Sequence, residues 1–292
     1  MYRGVQAVAR ALAGKEAAAY SPAQLSMNVE FTQISDRGKV REGNEDYIGH
    51  VEPSTPEDAR SRGWLFAVAD GVGGHDLGEV ASRTAIESVL GGFREATPGE
   101  AHSALMTRLV RDANARVVHA AHDSSGGGSN MATTIVACAL RYDRATVAHV
   151  GDSRCYLVRR GQAGILTRDH TVAGEHVRLG LLSAGEAANA ETRHLLSRSL
   201  GSGLMVNVDT AEHQVFADDV LLLCSDGLHG SVTTSEIAAL VGGNGADLNR
   251  AAQRLVDIAN QRDGSDNISL QIIRVRSVER VGMYRGRPYR LP

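Results

Sequence analysis

Two rhythms of apolar residues alternate along the chain. Residues 64–69 and 219–224 are almost continuously apolar, the mark of strands buried on both faces. Further strand-like runs fall at 29–35, 133–141, 146–150, 155–159, 206–215 and 267–275. Over 78–93, 99–121, 234–241 and 246–262, apolar positions recur at i, i+3 and i+4, which predicts amphipathic helices. Strands grouped around a paired helical block favour antiparallel sheets with helices packed outside, not a parallel βαβ array. The expected class is α+β, with one domain over 27–275.

Two tails flank that domain. Residues 1–26 place Val5, Val8 and Leu12 at helical spacing and read as a short helix or a disordered extension. The segment 276–292 carries Arg276, Arg280, Arg285, Arg287 and Arg290 against Glu279, and reads as a solvated extension or a tether to an acidic surface. The Ser/Gly run at 123–130 is a flexible connection without the Lys-Ser/Thr ending of a phosphate-binding loop.

The apolar runs acquire a chemical meaning at their ends. Asp70 follows one and Asp226 the other, within Asp70-Gly71 and Ser225-Asp226-Gly227; Asn44-Glu45-Asp46 and Asp266-Asn267 complete the set. Each motif taken singly is also ordinary turn chemistry. As a set they deliver several carboxylates to strand rims, an arrangement too costly to bury without a cation. Oxygen donors without matching His or Cys clusters suit magnesium or manganese and argue against zinc.

These residues carry a resemblance. In order along the chain come Ser35-Asp36-Arg37-Gly38 with Arg41-Glu42-Gly43-Asn44-Glu45-Asp46, Val68-Ala69-Asp70-Gly71-Val72-Gly73-Gly74-His75, Met131-Ala132-Thr133-Thr134, and Val150-Gly151-Asp152-Ser153-Arg154. Leu166-Thr167-Arg168-Asp169-His170, Ser197-Arg198-Ser199-Leu200-Gly201, Ser225-Asp226-Gly227 and Gly264-Ser265-Asp266-Asn267 follow. Together they resemble the metal-dependent protein serine/threonine phosphatases, the PPM or type 2C family, in its bacterial form. The resemblance implies an αββα sandwich of two antiparallel β-sheets flanked by helices, and two Mn2+ or Mg2+ ions.

On the same ground, Asp46, Asp70 and the carbonyl of Gly71 would hold one ion, and Asp70, Asp226 and Asp266 the other, with Asp70 bridging. Glu45 matches a position that in some members holds metal-bound water. Asp152 matches a ligand of a weaker third ion, although Gly230 stands where some relatives have a second acid for it; a strand-end turn is the alternative. Arg41 matches the arginine that grips the substrate phosphate. Animal members have His directly after the Asp-Gly pair, whereas this chain has Val72 there and His75 three residues on. The general acid is then His75, a metal-bound water or no protein group, and His75 alternatively orders its glycine loop. Residues 166–200 match a flap beside the active site, and Arg198 a packing motif.

The chemistry needs those parts independently of the family. A phosphate monoester dianion repels hydroxide, so its hydrolysis requires charge neutralisation and a nucleophile available at neutral pH, and two metals supply both. No protein nucleophile is needed, and Cys138 and Cys224 lie in apolar strand-like runs and Cys155 in a mixed one. The resemblance implies phosphoprotein substrates and an opposing Ser/Thr kinase. A phosphatase fold kept only as a binding module would need missing ligands, and all four principal acids are present; a small phosphate ester or a partner-switching regulator remains an alternative substrate.

Composition sets the remaining bounds. At 292 residues, with 42% hydrophobic and 22% charged residues, the chain is ordinary for a globular protein. A net charge of −3 gives no reason to expect nucleic-acid binding. The apolar stretches fall well short of the roughly 18 residues of a membrane span. Three widely spaced cysteines fit a reducing cytoplasm, and a monomer is expected.

Overall fold

In extended chain, successive side chains point to opposite faces, and this decides how each apolar run is used. The computed structural model describes residues 27–72, 76–124, 131–243, 245–284 and 287–290. In the run at 64–69, Leu65, Ala67 and Ala69 join a cluster with Ile86, Phe93, Met106 and Leu109. Phe66 and Val68 face the other way, into a cluster with Leu221, Leu223, Ile273 and Val275. Leu222 and Cys224 turn toward Ile237, Leu255 and Val256. The result is three apolar layers. Continuous runs of this kind are typical of parallel sheets, but here the strands are antiparallel and both faces are covered.

In chain order the strands are β1 (Asn28–Asp36), β2 (Asp46–Val51), β3 (Trp64–Val72), β4 (Ala132–Thr133), β5 (Ile135–Arg141) and β6 (Arg144–Val150). There follow β7 (Arg154–Arg159), β8 (Gln162–Ile165), β9 (Asp209–Gln214), β10 (Val220–Cys224) and β11 (Ile268–Ser277). One sheet has the order β1-β11-β10-β7-β8 and the second β2-β3-β5-β6-β9, with β4 paired to β3. A short α1 (Pro56–Ser61) precedes β3, and α2 (Asp76–Arg94) and α3 (His102–Ser124) cover the second sheet. Along the chain toward the C-terminus lie α4 (Val172–Arg178), α5 (Ala184–Ala188), α6 (Asp226–His229), α7 (Thr234–Val241) and α8 (Leu248–Arg262). Helices α7 and α8 cover the first sheet. This is the αββα sandwich that the resemblance implied.

The differences from expectation have local causes. Strand β2 escapes a hydrophobicity reading because Gly49 stands at its centre, where Leu90 and Ile86 of α2 press so close that a Cβ would sit 2.6 and 2.9 Å from them. Strand β8 is an exposed edge with little apolar content. Of the run at 206–215, only 209–214 pairs in the sheet. In the Arg-rich segment, β11 continues to Ser277, and β12 (Val281–Tyr284) pairs with β13 (Arg287–Arg290). Arg276 pairs with Glu30, and Glu279 with Arg60 at 3.0 Å. The expected N-terminal helix or extension, most of the Ser/Gly run and His75 lie outside the described residues. Among the described residues, no helix is long and apolar enough to cross a membrane.

Candidate active site

The two sheets meet at one end of the sandwich, and each contributes two acids there. Asp46 opens β2 directly opposite Asp70 on β3. Asp226 starts α6 immediately after β10, and Asp266 precedes β11. Residues 46 and 266 are far apart in sequence, yet sheet pairing carries them to one rim.

Hydroxyls and one amide lock this rim. Ser225 Oγ donates to Asp46 Oδ2 at 2.7 Å and accepts from Ser269 N at 3.0 Å, so one hydroxyl bonds across the two sheets. Asp70 is held through its backbone: its N–H donates to Thr134 Oγ1 at 3.0 Å, and its carbonyl accepts from Thr134 N and Thr133 Oγ1. Asn267 accepts from Glu45 N at 2.8 Å and donates to the carbonyls of Arg37 and Gly43, clamping the loop that carries Arg41 and Glu45. Two glycines are required by this closeness. Gly38 has φ +77°, and a Cβ there would strike the Asp266 carbonyl; a Cβ on Gly71 would strike the carbonyls of Gly78 and Glu45.

The sequence-derived candidates therefore converge, with one exception. Arg41, Glu45, Asp70, Gly71, Asp152, Asp226 and Asp266 line a cleft of about 1540 Å³. Asp46 is buried at the rim, at 5% exposure. Asp152, at 6%, sits in the turn after β6, and its carbonyl accepts from His229 Nε2 at 3.0 Å. Arg41 contacts both oxygens of Asp266 at 3.0 Å. The general-acid candidate His75 is outside the described residues. Ser225, Thr134 and Asn267 were not singled out from sequence, although Ser225 and Asn267 stand beside the acids; Arg193 and His194 also line the cleft. The flap forms the opposite wall, from α4, α5 and the 3-10 turn Glu191–His194.

The electrostatics test whether cations fit. Burial pushes Asp46 up to about 7, against hydrogen bonds from Ser225 and Ser269, and the charges of Asp226 and Asp266 add to the rise. Asp70 is raised well above the carboxylate range by burial and then by Asp46, Asp226, Asp152 and Asp266. Burial and the charge of Asp226 lift Asp152 to about 7, and burial with Asp266 raises Asp226. Asp46 Oδ1 and Asp226 Oδ1 are buried without a hydrogen-bond partner. Unpaired buried carboxylate oxygens and an all-oxygen donor set fit hard divalent cations.

A second group, His149, His170 and Asp209, brings three potential ligand atoms within 4.8 Å. The donor atoms of His149 and Asp209 are already engaged. His149 Nε2 lies 2.9 Å from the Arg168 carbonyl and 3.2 Å from the Arg168 N–H. His170 Nδ1 accepts from Gly151 N, leaving its proton on Nε2, 3.3 Å from Asp209. Arg168 and Arg198 already neutralise Asp209, at 3.0 and 2.8 Å. Burial holds His170 down to about 4, and the two rings stack at 4.7 Å. This network buttresses the base of the flap and gives Arg198 its packing role.

Comparison with known proteins identifies the family and the fold. The profile of the family Protein phosphatase 2C matches residues 32–268. The serine/threonine phosphatase stp of Listeria innocua is 33% identical over 264 residues, covering 89% of this chain and 99% of that protein. The structure of the S. agalactiae serine/threonine phosphatase superposes with a TM-score of 0.76 at 31% identity, over 85% of this chain and 100% of that one. The catalytic domain of the phosphatase PstP, solved in complex with two manganese ions, superposes at 0.72 with 30% identity, over 86% of this chain and 100% of that one. With its motifs, its sandwich and its acidic rim all in agreement, the chain belongs to the protein phosphatase 2C family, the protein serine/threonine phosphatases that its sequence resembled.

Proposed function

We propose that the chain hydrolyses phosphoserine and phosphothreonine in proteins with the help of two divalent cations. The observation that supports this most is the convergence of Asp46, Asp70, Asp226 and Asp266 at one rim, where Asp46 and Asp226 have unpartnered buried oxygens and burial raises the pKa of Asp46, Asp70 and Asp226. Asp46, Asp70 and the Gly71 carbonyl would hold one manganese or magnesium ion, and Asp70, Asp226 and Asp266 the second; Asp152, beside Asp226, would help hold a weaker third. Cations bound there supply charge neutralisation and a water acidic enough to attack phosphorus at neutral pH.

The chain's own residues do the rest. Arg41 leaves Asp266 to present its guanidinium to two non-bridging phosphate oxygens. Ser225 and Asn267 keep the acids and the Arg41 loop in register, so little reorganisation is needed as charge builds. A cysteine nucleophile has no place in the reading: Cys138, Cys155 and Cys224 are buried, and burial raises the Cys224 thiol. The enzyme is proposed to act as a cytoplasmic monomer opposing a Ser/Thr kinase. The serine/threonine substrate class leans on relatives named as serine/threonine phosphatases.

Phosphate release from a phosphothreonine peptide tests the reading, with EDTA, manganese or magnesium, beside a phosphotyrosine peptide and the Asp70→Asn variant. Release from phosphothreonine that requires metal and falls at least about a hundredfold in Asp70→Asn is expected. A folded chain without turnover under any metal would overturn it.

A further inference from the structure

The flap carries a histidine for which the reading above has no use. His194 ends the 3-10 turn on the cleft wall and its side chain is 60% exposed, so the fold does not depend on burying it. Its Nδ1 lies 4.0 Å from Asp226 Oδ2, and its Nε2 receives a hydrogen bond from Arg193 Nε at 2.7 Å. An arginine nitrogen can only donate. Nε2 must therefore be bare, and the proton of the neutral ring sits on Nδ1, toward Asp226. At 4.0 Å the contact is longer than a hydrogen bond, so Asp226 does not consume this donor.

Arg193 differs from the other arginines of the cleft. Arg41, Arg154, Arg168 and Arg178 each pair with a carboxylate, on Asp266, Asp169, Asp209 and Glu175 respectively. The described contact of Arg193 is with the imidazole. A guanidinium aimed at a ring nitrogen fixes the ring's tautomer and face, an orienting function that pairing with an acid would not provide.

We propose that His194 Nδ1–H donates a hydrogen bond to a non-bridging oxygen of the phosphoryl group bound beside Asp226, and that Arg193 is the positioning residue that sets this tautomer. The inference rests on the phosphatase reading, since it needs a phosphoryl group at that rim. Arg41 approaches from the loop before β2 and His194 from the flap, so the phosphoryl group is gripped from two sides of the cleft. The flap then contributes a contact to the reacting group besides shaping the entrance.

Three measurements test it. First, 15N NMR of the metal-free chain should show His194 as the Nδ1–H tautomer, with Arg193→Ala shifting it toward Nε2–H and Arg193→Lys holding it; a wild-type Nε2–H tautomer would overturn the proposal. Second, calorimetry of inorganic phosphate binding to the manganese-loaded protein should show His194→Ala weaker by about tenfold to a hundredfold. His194→Asn, whose Nδ2 stands near the position of Nδ1, should keep most of the affinity. Alanine binding as tightly as wild type, or asparagine as weakly as alanine, would refute the donor. Third, kcat/KM on a phosphothreonine peptide should fall in the same order. Wild-type protein that binds phosphate in this order but turns over no phosphopeptide would sink the phosphatase reading and leave the His194 contact standing.

Discussion

The floor and the flap wall of the cleft are built by opposite means. On the floor, acids sit at the ends of strands whose other residues are core, and buried hydroxyls bond from sheet to sheet. On the wall, short helices carry ion pairs in contact with solvent, such as Arg178–Glu175, and Leu179, Leu181 and Leu195 are exposed. Exposed pairs are worth about 0–1 kcal/mol, and helices of one or two turns depend on their packing. The wall can therefore shift at small cost, whereas the floor cannot shift without opening the core. Under the proposed function, the floor suits a fixed cation spacing and the wall suits choice among substrates.

That contrast can be broken by measurement. The largest effect should come from the floor's charge. Asp46 and Asp152 are raised to about 7 in the folded chain. Their contribution to stability is fully present below the ordinary carboxylate range and is lost as pH rises through about 7. Metal-free protein should thus melt at a lower temperature at pH 8 than at pH 5. Manganese at a hundred times its Kd should restore about 2.7 kcal/mol at pH 8. Thermal unfolding that ignores both pH and manganese would mean that these acids do not meet as described. Next in size, Ser225→Ala removes one hydrogen bond between the sheets and should cost about 1–3 kcal/mol in denaturant unfolding. A metal titration should show about tenfold to a hundredfold weaker manganese binding; unchanged affinity would deny the floor its rigidity. Smallest, Arg178→Ala on the wall should change stability by no more than about 0.5 kcal/mol. It should move KM for phosphopeptides while leaving p-nitrophenyl phosphate turnover alone. A loss of stability matching Ser225→Ala would erase the distinction.

The floor was legible in the sequence because its physics is local. Val68-Ala69-Asp70 and Leu223-Cys224-Ser225-Asp226 announce a buried strand and the acid it delivers within a few residues. What stayed hidden depends on partners distant in the chain. Nothing in Asp46-Tyr47-Ile48-Gly49 signals that Gly49 must pass beneath Leu90. Ser225 and Asn267 read as companions of acids, while their roles as clamps come from residues about 180 and 220 positions away. His194 lies in a segment without periodicity, and its nearness to Asp226 comes from how the flap folds back. The His149–His170–Asp209 buttress was likewise invisible, since β9 brings Asp209 to the base of the flap.

The order of strands in the first sheet has a consequence for biosynthesis. Strand β11, which begins two residues after Asp266, lies between β1 and β10 in that sheet. A chain emerging from the ribosome must therefore hold β1 and β10 apart, or pair them wrongly, until residues 268–277 are free to slot between them. Pairing over such sequence distances is slow. The acidic rim is therefore complete only once this late strand has paired, since Asp266 lies just ahead of it.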